Sequence, residues 1–226
     1  MRPSQLDRCA LSSLGVALRQ IQVVPDVLED IAAAVAAAVA RFDHVFTSGG
    51  VGPTHDDLTI AGVALALGRP VVRHPQLEAA LRGYYERKGQ PVVERNLRMA
   101  DVPEGATLLH PDELQWPVLT HGKVYILPGV PEIFRAKFAA IRERFRVAPF
   151  HQRQVLVRDD EGVIARHLDQ IAERYPRVAL GSYPRFATAP DGHRVKLTLE
   201  GKDRGEVEAA HADLVGLLGQ ETVVSA

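Results

Sequence analysis

The stretch Ser48-Gly49-Gly50-Val51-Gly52-Pro53-Thr54-His55-Asp56-Asp57-Leu58-Thr59 decides the fold. Just upstream, Asp43-His44-Val45-Phe46-Thr47 is apolar and β-branched enough for a buried strand, and residues 58–67 carry the apolar recurrence of a helix. The glycines therefore occupy a strand-to-helix turn. Gly49, Gly50 and Gly52 remove Cβ atoms where a backbone could close around phosphate oxygens, and the helix start adds unpaired N–H donors and a positive dipole end. Ser48, Thr54 and Thr59 offer hydroxyls to such an anion or, as turn residues, to their own backbone. Asp56 and Asp57 set carboxylates beside it, which repel phosphate unless a divalent cation lies between them. The run thus predicts a metal-assisted phosphate or pyrophosphate site. The plain alternative is a glycine turn whose aspartates cap the helix and complement its dipole. His55 either reaches the phosphate as a proton donor or is solvated.

Working outward, a helix is expected over residues 5–14 with Ser4 as its cap and Gly15 as its stop, then a strand over 17–23. Pro25-Asp26 leads into an Ala-rich helix ending at Arg41. After the glycine turn come an extended piece at 71–73, helices over 76–88 and 92–99, and strands at 107–109 and 124–127. Pro128-Gly129-Val130-Pro131 breaks the chain before a helix over 132–146. Strands alternating with helices predict an α/β domain around a mostly parallel sheet. Val147-Ala148-Pro149 is a linker, and beyond it the order changes to strand 153–157, helix 161–175, strands 178–182 and 195–199, helix 206–218. That order suits a small α+β sandwich. The domains are 1–146 and 150–226.

In an open parallel sheet, ligands gather at the carboxyl edge of the strands, so the loops after Val23, Thr47 and Leu127 should share one rim. Asp26 in the first loop is a candidate for metal binding or water activation, or else forms a helix-capping pair with Glu29. In the third loop Gly129 and Pro131 shape the turn, and Glu132 is a ligand or a partner of the helix dipole. Trp116 and Tyr125 either line a pocket for a flat ring or pack in the core.

With 27 Lys+Arg against 28 Asp+Glu, the overall field recruits neither nucleic acid nor an anionic membrane. The single cysteine, Cys9, excludes an intramolecular disulfide and makes a cytoplasmic setting the default. No stretch reaches membrane-spanning length, and the nine histidines show no zinc-ligand spacing.

The run Gly49 to Thr59 resembles the signature of the molybdopterin-binding superfamily typified by MoaB, MogA and the N-terminal domain of CinA, and Leu127-Pro128-Gly129-Val130-Pro131-Glu132 is similar to its second fingerprint. Thr54-His55-Asp56-Asp57, with Gly181-Ser182-Tyr183-Pro184 downstream, is most similar to the CinA-like branch and to the domain fused to eukaryotic FAD synthases. The resemblance implies a three-layer α/β/α domain followed by a small α+β domain. In this branch it further implies hydrolysis of a nucleotide diphosphate linkage, of the ADP-ribose or FAD type, with magnesium or cobalt. Asp57 and Asp26 fall on the family's acids and would bind metal and activate water; Gly49, Gly50, Gly52 and Thr54 would hold the pyrophosphate. The implied alternatives are a non-catalytic molybdopterin- or nucleotide-binding module, or adenylyl transfer in molybdenum-cofactor assembly. Two departures stand out: the family's first strand and its loop are missing ahead of residue 5, and Leu109 to Trp116 replaces a glycine-containing pocket segment. A sheet short of one strand, like the relatives' own assemblies, points to a homo-oligomer.

Overall fold

A computed structural model describes residues 11–110, 114–185 and 192–225. Contacts divide it into two units: residues 19–145 form one, and the described residues up to 18 join those from 146 onward in the other.

In the first unit, α1 (Leu28–Arg41) leads to β1 (Val45–Ser48), the glycine turn and α2 (Thr59–Ala66). Then follow β2 (Val71–Arg73), α3 (Pro75–Arg87), the short α4 (Glu94–Leu97) with a 3-10 turn at Arg98–Ala100, and β3 (Asp101–Pro103). Strands β4 (Thr107–Leu109), β5 (Val118–His121) and β6 (Val124–Leu127) precede α5 (Pro131–Ile141), which tightens into a 3-10 turn at Arg142–Phe145. The main sheet runs β1-β6-β5-β4, and β2 pairs with β3 separately. Among the described strands, β1 and β6 are parallel, while the β4-β5-β6 meander is antiparallel. The parallel pair is the one that matters for the site.

Sequence patterning explains the core. Strand β6 is buried at all four positions, as its unbroken run Val124-Tyr125-Ile126-Leu127 requires of a strand covered on both faces. Ile31 and Val35 of α1 meet Val63 of α2, Val45 and Ile126 in one apolar cluster. On α5, Phe134, Phe138 and Ile141 recur at helical spacing and are buried.

Three expectations are corrected. Residues 17–23 join no ladder among the described residues, and Ile21 and Val23 are 58% and 93% exposed. Alternation alone makes a strand only if a neighbour accepts its backbone groups. The helix predicted over 92–99 shrinks to α4 and its 3-10 turn. Residues 11–18, read as part of the first domain, pack with the second unit, where Val147 N–H donates to Leu14 O at 2.9 Å and Lys202 donates to the carbonyls of Gly15 and Ala148. The first six residues of the predicted 5–14 helix lie outside the described residues; 11–13 are helical and Gly15 ends them at φ 76°.

The second unit follows its sequence closely. Strands β7 (His151–Val157), β8 (Ala179–Pro184) and β9 (Val195–Gly201) alternate with α6 (Glu161–Arg174) and α7 (Arg204–Leu218) in the expected order. A short β10 (Val223–Ser225) completes the antiparallel sheet β10-β7-β9-β8. Val195, Leu197 and Leu199, every second residue of β9, are buried with Ile164 and Ile171 of α6 and Val207 and Leu214 of α7. Gly181-Ser182-Tyr183-Pro184 lies in edge strand β8. The α/β class with a smaller α+β partner is the observed architecture.

Candidate functional site

Strands β1 and β6 run parallel with Ser48 opposite Leu127, so the loops that follow them leave the same sheet edge side by side. Gly49 N–H donates to Leu127 O at 3.1 Å. A Cβ on Gly129 would stand 3.1 Å from Gly49 Cα, so the two loops touch backbone to backbone. Gly49 and Gly50 have φ of 96° and 63°, a left-handed turn that glycine adopts without penalty. The turn closes onto the helix start through Thr59 N–H to Gly50 O at 2.9 Å, and Thr59 is buried there. Ser48 Oγ is 3.5 Å from Pro128 O, at the outer limit of a hydrogen bond.

The acids of the run hold the loop rather than the helix. Asp57 Oδ2 accepts Thr54 N–H at 2.8 Å and the Thr54 hydroxyl at 2.5 Å. Gly52 packs against this carboxylate so closely that a Cβ there would lie 2.6 Å from Oδ2. Partial burial pushes the Asp57 carboxyl up, but bonds from Thr54 and from the backbone of Gly52 and Thr54, with the Arg98 charge, outweigh it and hold it below the ordinary 3.8. Helix α2 begins after Leu58 with no side-chain cap and no acid in its first turn, so the capping alternative for Asp56 and Asp57 does not form. Asp56 is exposed, 3.8 Å from His55 Nδ1, whose ring is 97% exposed.

Asp26 is exposed. The strand expected to carry its loop to the rim of the sheet does not form among the described residues. Nor does Asp26 cap α1, whose cap position is Val27 without a side-chain bond. Pro131 is the first residue of α5 and Glu132 lies in its first turn, both exposed, where Glu132 complements the dipole. Among the described residues, no group of three or more His, Cys, Asp or Glu is placed to hold a metal ion. Asp56 and Asp57, adjacent in sequence, are carboxylates of the donor type that magnesium takes, one or two at a time beside phosphates and water.

The structure adds two residues that sequence reading missed. Pro53, Thr54 and His55 face Arg95 and Arg98 across a cleft of about 160 Å³. The sequence signal was an i, i+3 pair of arginines, visible but lost in a segment with little periodicity.

Of the two readings of Trp116 and Tyr125, packing in the core is the one that forms. Trp116 packs on the cluster of Leu81, Leu97 and Ala100 and meets Tyr84 edge-on at 5.8 Å; Tyr125 is 9% exposed, stacked on Phe46 at 5.1 Å. Lys137 of α5 fixes this segment by donating to Trp116 O at 3.3 Å and to Pro117 O. Burial lowers its ammonium from 10.5 to about 8, and a neutral amine keeps two N–H groups for the two carbonyls. Between those values the unfolded chain binds more protons than the folded one, so stability rises with pH across that window. In urea melts from pH 8 upward, wild type is expected to gain on Lys137→Met; parallel curves would contradict this.

Two family models cover nearly the whole chain: one described as "Probable molybdopterin binding domain" matches residues 8–147, and one described as "FAD synthase, middle domain" matches 149–226. The chain belongs to the molybdopterin-binding family. It is 38% identical to a Pyrobaculum calidifontis protein over 92% of this chain and 85% of that protein. Within the family it falls in the CinA-like branch near the FAD synthases. It is 32% identical to a CinA-like protein of Frankia casuarinae and 30% identical to a probable FAD synthase of Caenorhabditis briggsae, covering 49% and 44% of their lengths. The crystal structure of CinA from Thermoplasma acidophilum superposes with a TM-score of 0.54 at 31% identity, over 63% of this chain and 85% of that one. This molybdopterin-binding domain therefore carries both glycine loops in a fold shared with its relatives. Among the described residues, no helix is long and apolar enough to cross a membrane.

Proposed function

We propose that the chain hydrolyses the diphosphate linkage of a nucleotide of the ADP-ribose or FAD type. The observation that carries this reading is the backbone contact between the Gly49 and Gly129 loops at the edge of the parallel β1–β6 pair. Ligands of open sheets with parallel strands bind outside the carboxyl ends of those strands, and a loop edge stripped of Cβ atoms admits phosphate oxygens against main-chain N–H groups. The likeness to CinA-like proteins and to a FAD synthase supports a nucleotide substrate.

In this reading the Gly49-Gly50 turn binds the diphosphate and Thr54 keeps the loop closed by donating to Asp57. Asp57, ionised at neutral pH and already accepting two bonds, is a poor proton acceptor but a fixed negative charge. Asp56 and Asp57 would hold a divalent cation, which when bound supplies neutralisation of the phosphates and a water of lowered pKa. Water adds to one phosphorus, the P–O–P bond breaks, and AMP leaves with the complementary phosphate monoester.

Incubation with ADP-ribose or FAD, with magnesium or cobalt, is expected to release AMP from wild type. Release no faster than that of an Asp57→Asn control would remove the hydrolase. A second reading, a module that binds a pterin or nucleotide without turnover, is favoured by the commitment of the Asp57 carboxylate to its own loop. Tight binding of FAD or ADP-ribose with no AMP would support that reading instead.

A further inference from the structure

The cleft lined by Arg95 and Arg98 brings two guanidinium groups to one place, with Asp57 near enough to feel the charge of Arg98. Two acids lie close to these arginines in sequence, Glu94 and Asp101, and Arg73 takes both: its Nη1 is 2.8 Å from Glu94 Oε1 and its Nε is 2.8 Å from Asp101 Oδ1. Arg95 and Arg98, three residues apart across α4 and its 3-10 turn, make no ion pair within 4 Å among the described residues, and Arg98 acts on Asp57 only from farther away. The cleft is also lined by Pro53, Thr54 and His55, which follow Gly49-Gly50 in the same loop. At about 160 Å³ the cleft is smaller than the roughly 300 Å³ at which pockets for whole small ligands begin, so it suits one group of a larger ligand. Guanidinium forks match the tetrahedral oxygens of a phosphoryl group, and two of them favour a polyanion over a monoanion.

Resting on the proposed hydrolase reading, we infer that Arg95 and Arg98, with His55, form a second phosphoryl subsite, so that the protein selects diphosphates over monophosphates. One phosphoryl group sits at the glycine turn and the next lies in the arginine cleft. The arginines bind substrate here, and the choice between a diphosphate and a monophosphate is made by charge placed outside the loop.

The test is calorimetric titration of the intact protein, in buffer containing magnesium, with inorganic pyrophosphate and separately with inorganic phosphate. Wild type is expected to bind pyrophosphate at least tenfold more tightly than phosphate. Arg98→Ala and Arg95→Ala should each weaken pyrophosphate at least fivefold and change phosphate less than twofold, with Arg98→Lys recovering part of the loss. Both side chains are exposed, so unchanged thermal melting is expected to accompany the loss. Pyrophosphate affinity unaltered by either alanine, an equal loss of both anions, or no pyrophosphate binding by wild type would each overturn the subsite. A protein that passes this titration yet releases no AMP keeps the subsite and loses the hydrolase reading.

Discussion

Gly50→Ala is expected to destabilise the first unit by about 3 kcal/mol, while Gly68→Ala should cost about 1. Both glycines have φ of 63°, so the left-handed penalty is common to the pair. Only their surroundings differ: a Cβ on Gly50 would meet Thr59 Oγ1 at 2.4 Å and its Cβ at 3.2 Å, whereas one on Gly68 meets nothing within 4 Å. The excess is therefore the cost of prising the turn from the start of α2. Melting points should fall by roughly 10 °C for Gly50→Ala and roughly 4 °C for Gly68→Ala. Phosphate binding should disappear in the first and persist in the second. Thr59→Ala in the Gly50→Ala background removes the closest contact and should restore part of the lost stability. Equal melting of the two alanine variants would show that the Gly50 turn is not packed as described.

Asp57→Asn is expected to abolish AMP release and to cost about 1–2 kcal/mol, because an amide oxygen accepts the Thr54 bonds more weakly than a carboxylate does. The pH dependence gives a sharper result. The folded carboxyl titrates below the ordinary 3.8, so its contribution is full above that value and is lost as pH falls through the folded pKa. Wild type should therefore exceed Asp57→Asn in stability near neutrality and converge with it in acid. A constant gap from pH 6 to pH 2 would mean that the charge on Asp57 does not support the loop. Retained AMP release would take Asp57 out of the chemistry altogether.

Turn chemistry made the site's frame legible from the sequence. A glycine run after an apolar strand can do little but turn, and a second break at Pro128–Pro131 after Val124–Leu127 located the neighbouring loop. The second unit was legible for the same reason, since its strands and helices change period cleanly and each has an obvious buried face. What failed depended on neighbours. Residues 17–23 have the composition of a strand and join no ladder among the described residues. Asp26 was placed on the rim by that strand and loses its argument with it. The roles of Asp57 and Thr54 turn on hydrogen bonds three residues apart, which composition cannot rank against helix capping. Arg95 and Arg98 gain meaning only when Arg73, from a strand more than twenty residues upstream, draws away Glu94 and Asp101.

The contact between Gly49 and Gly129 also bears on how the protein is made. Its two halves come from positions 80 residues apart in the chain. Contacts so distant in sequence close late, after the loop-closure entropy of the intervening segment has been overcome. A partly folded chain that has formed α1, β1 and α2 but not docked β6 would own the whole glycine motif and still have no cradle. Anion binding would then report the completed β1–β6 docking, and a ligand present during refolding would hold that last step shut by mass action.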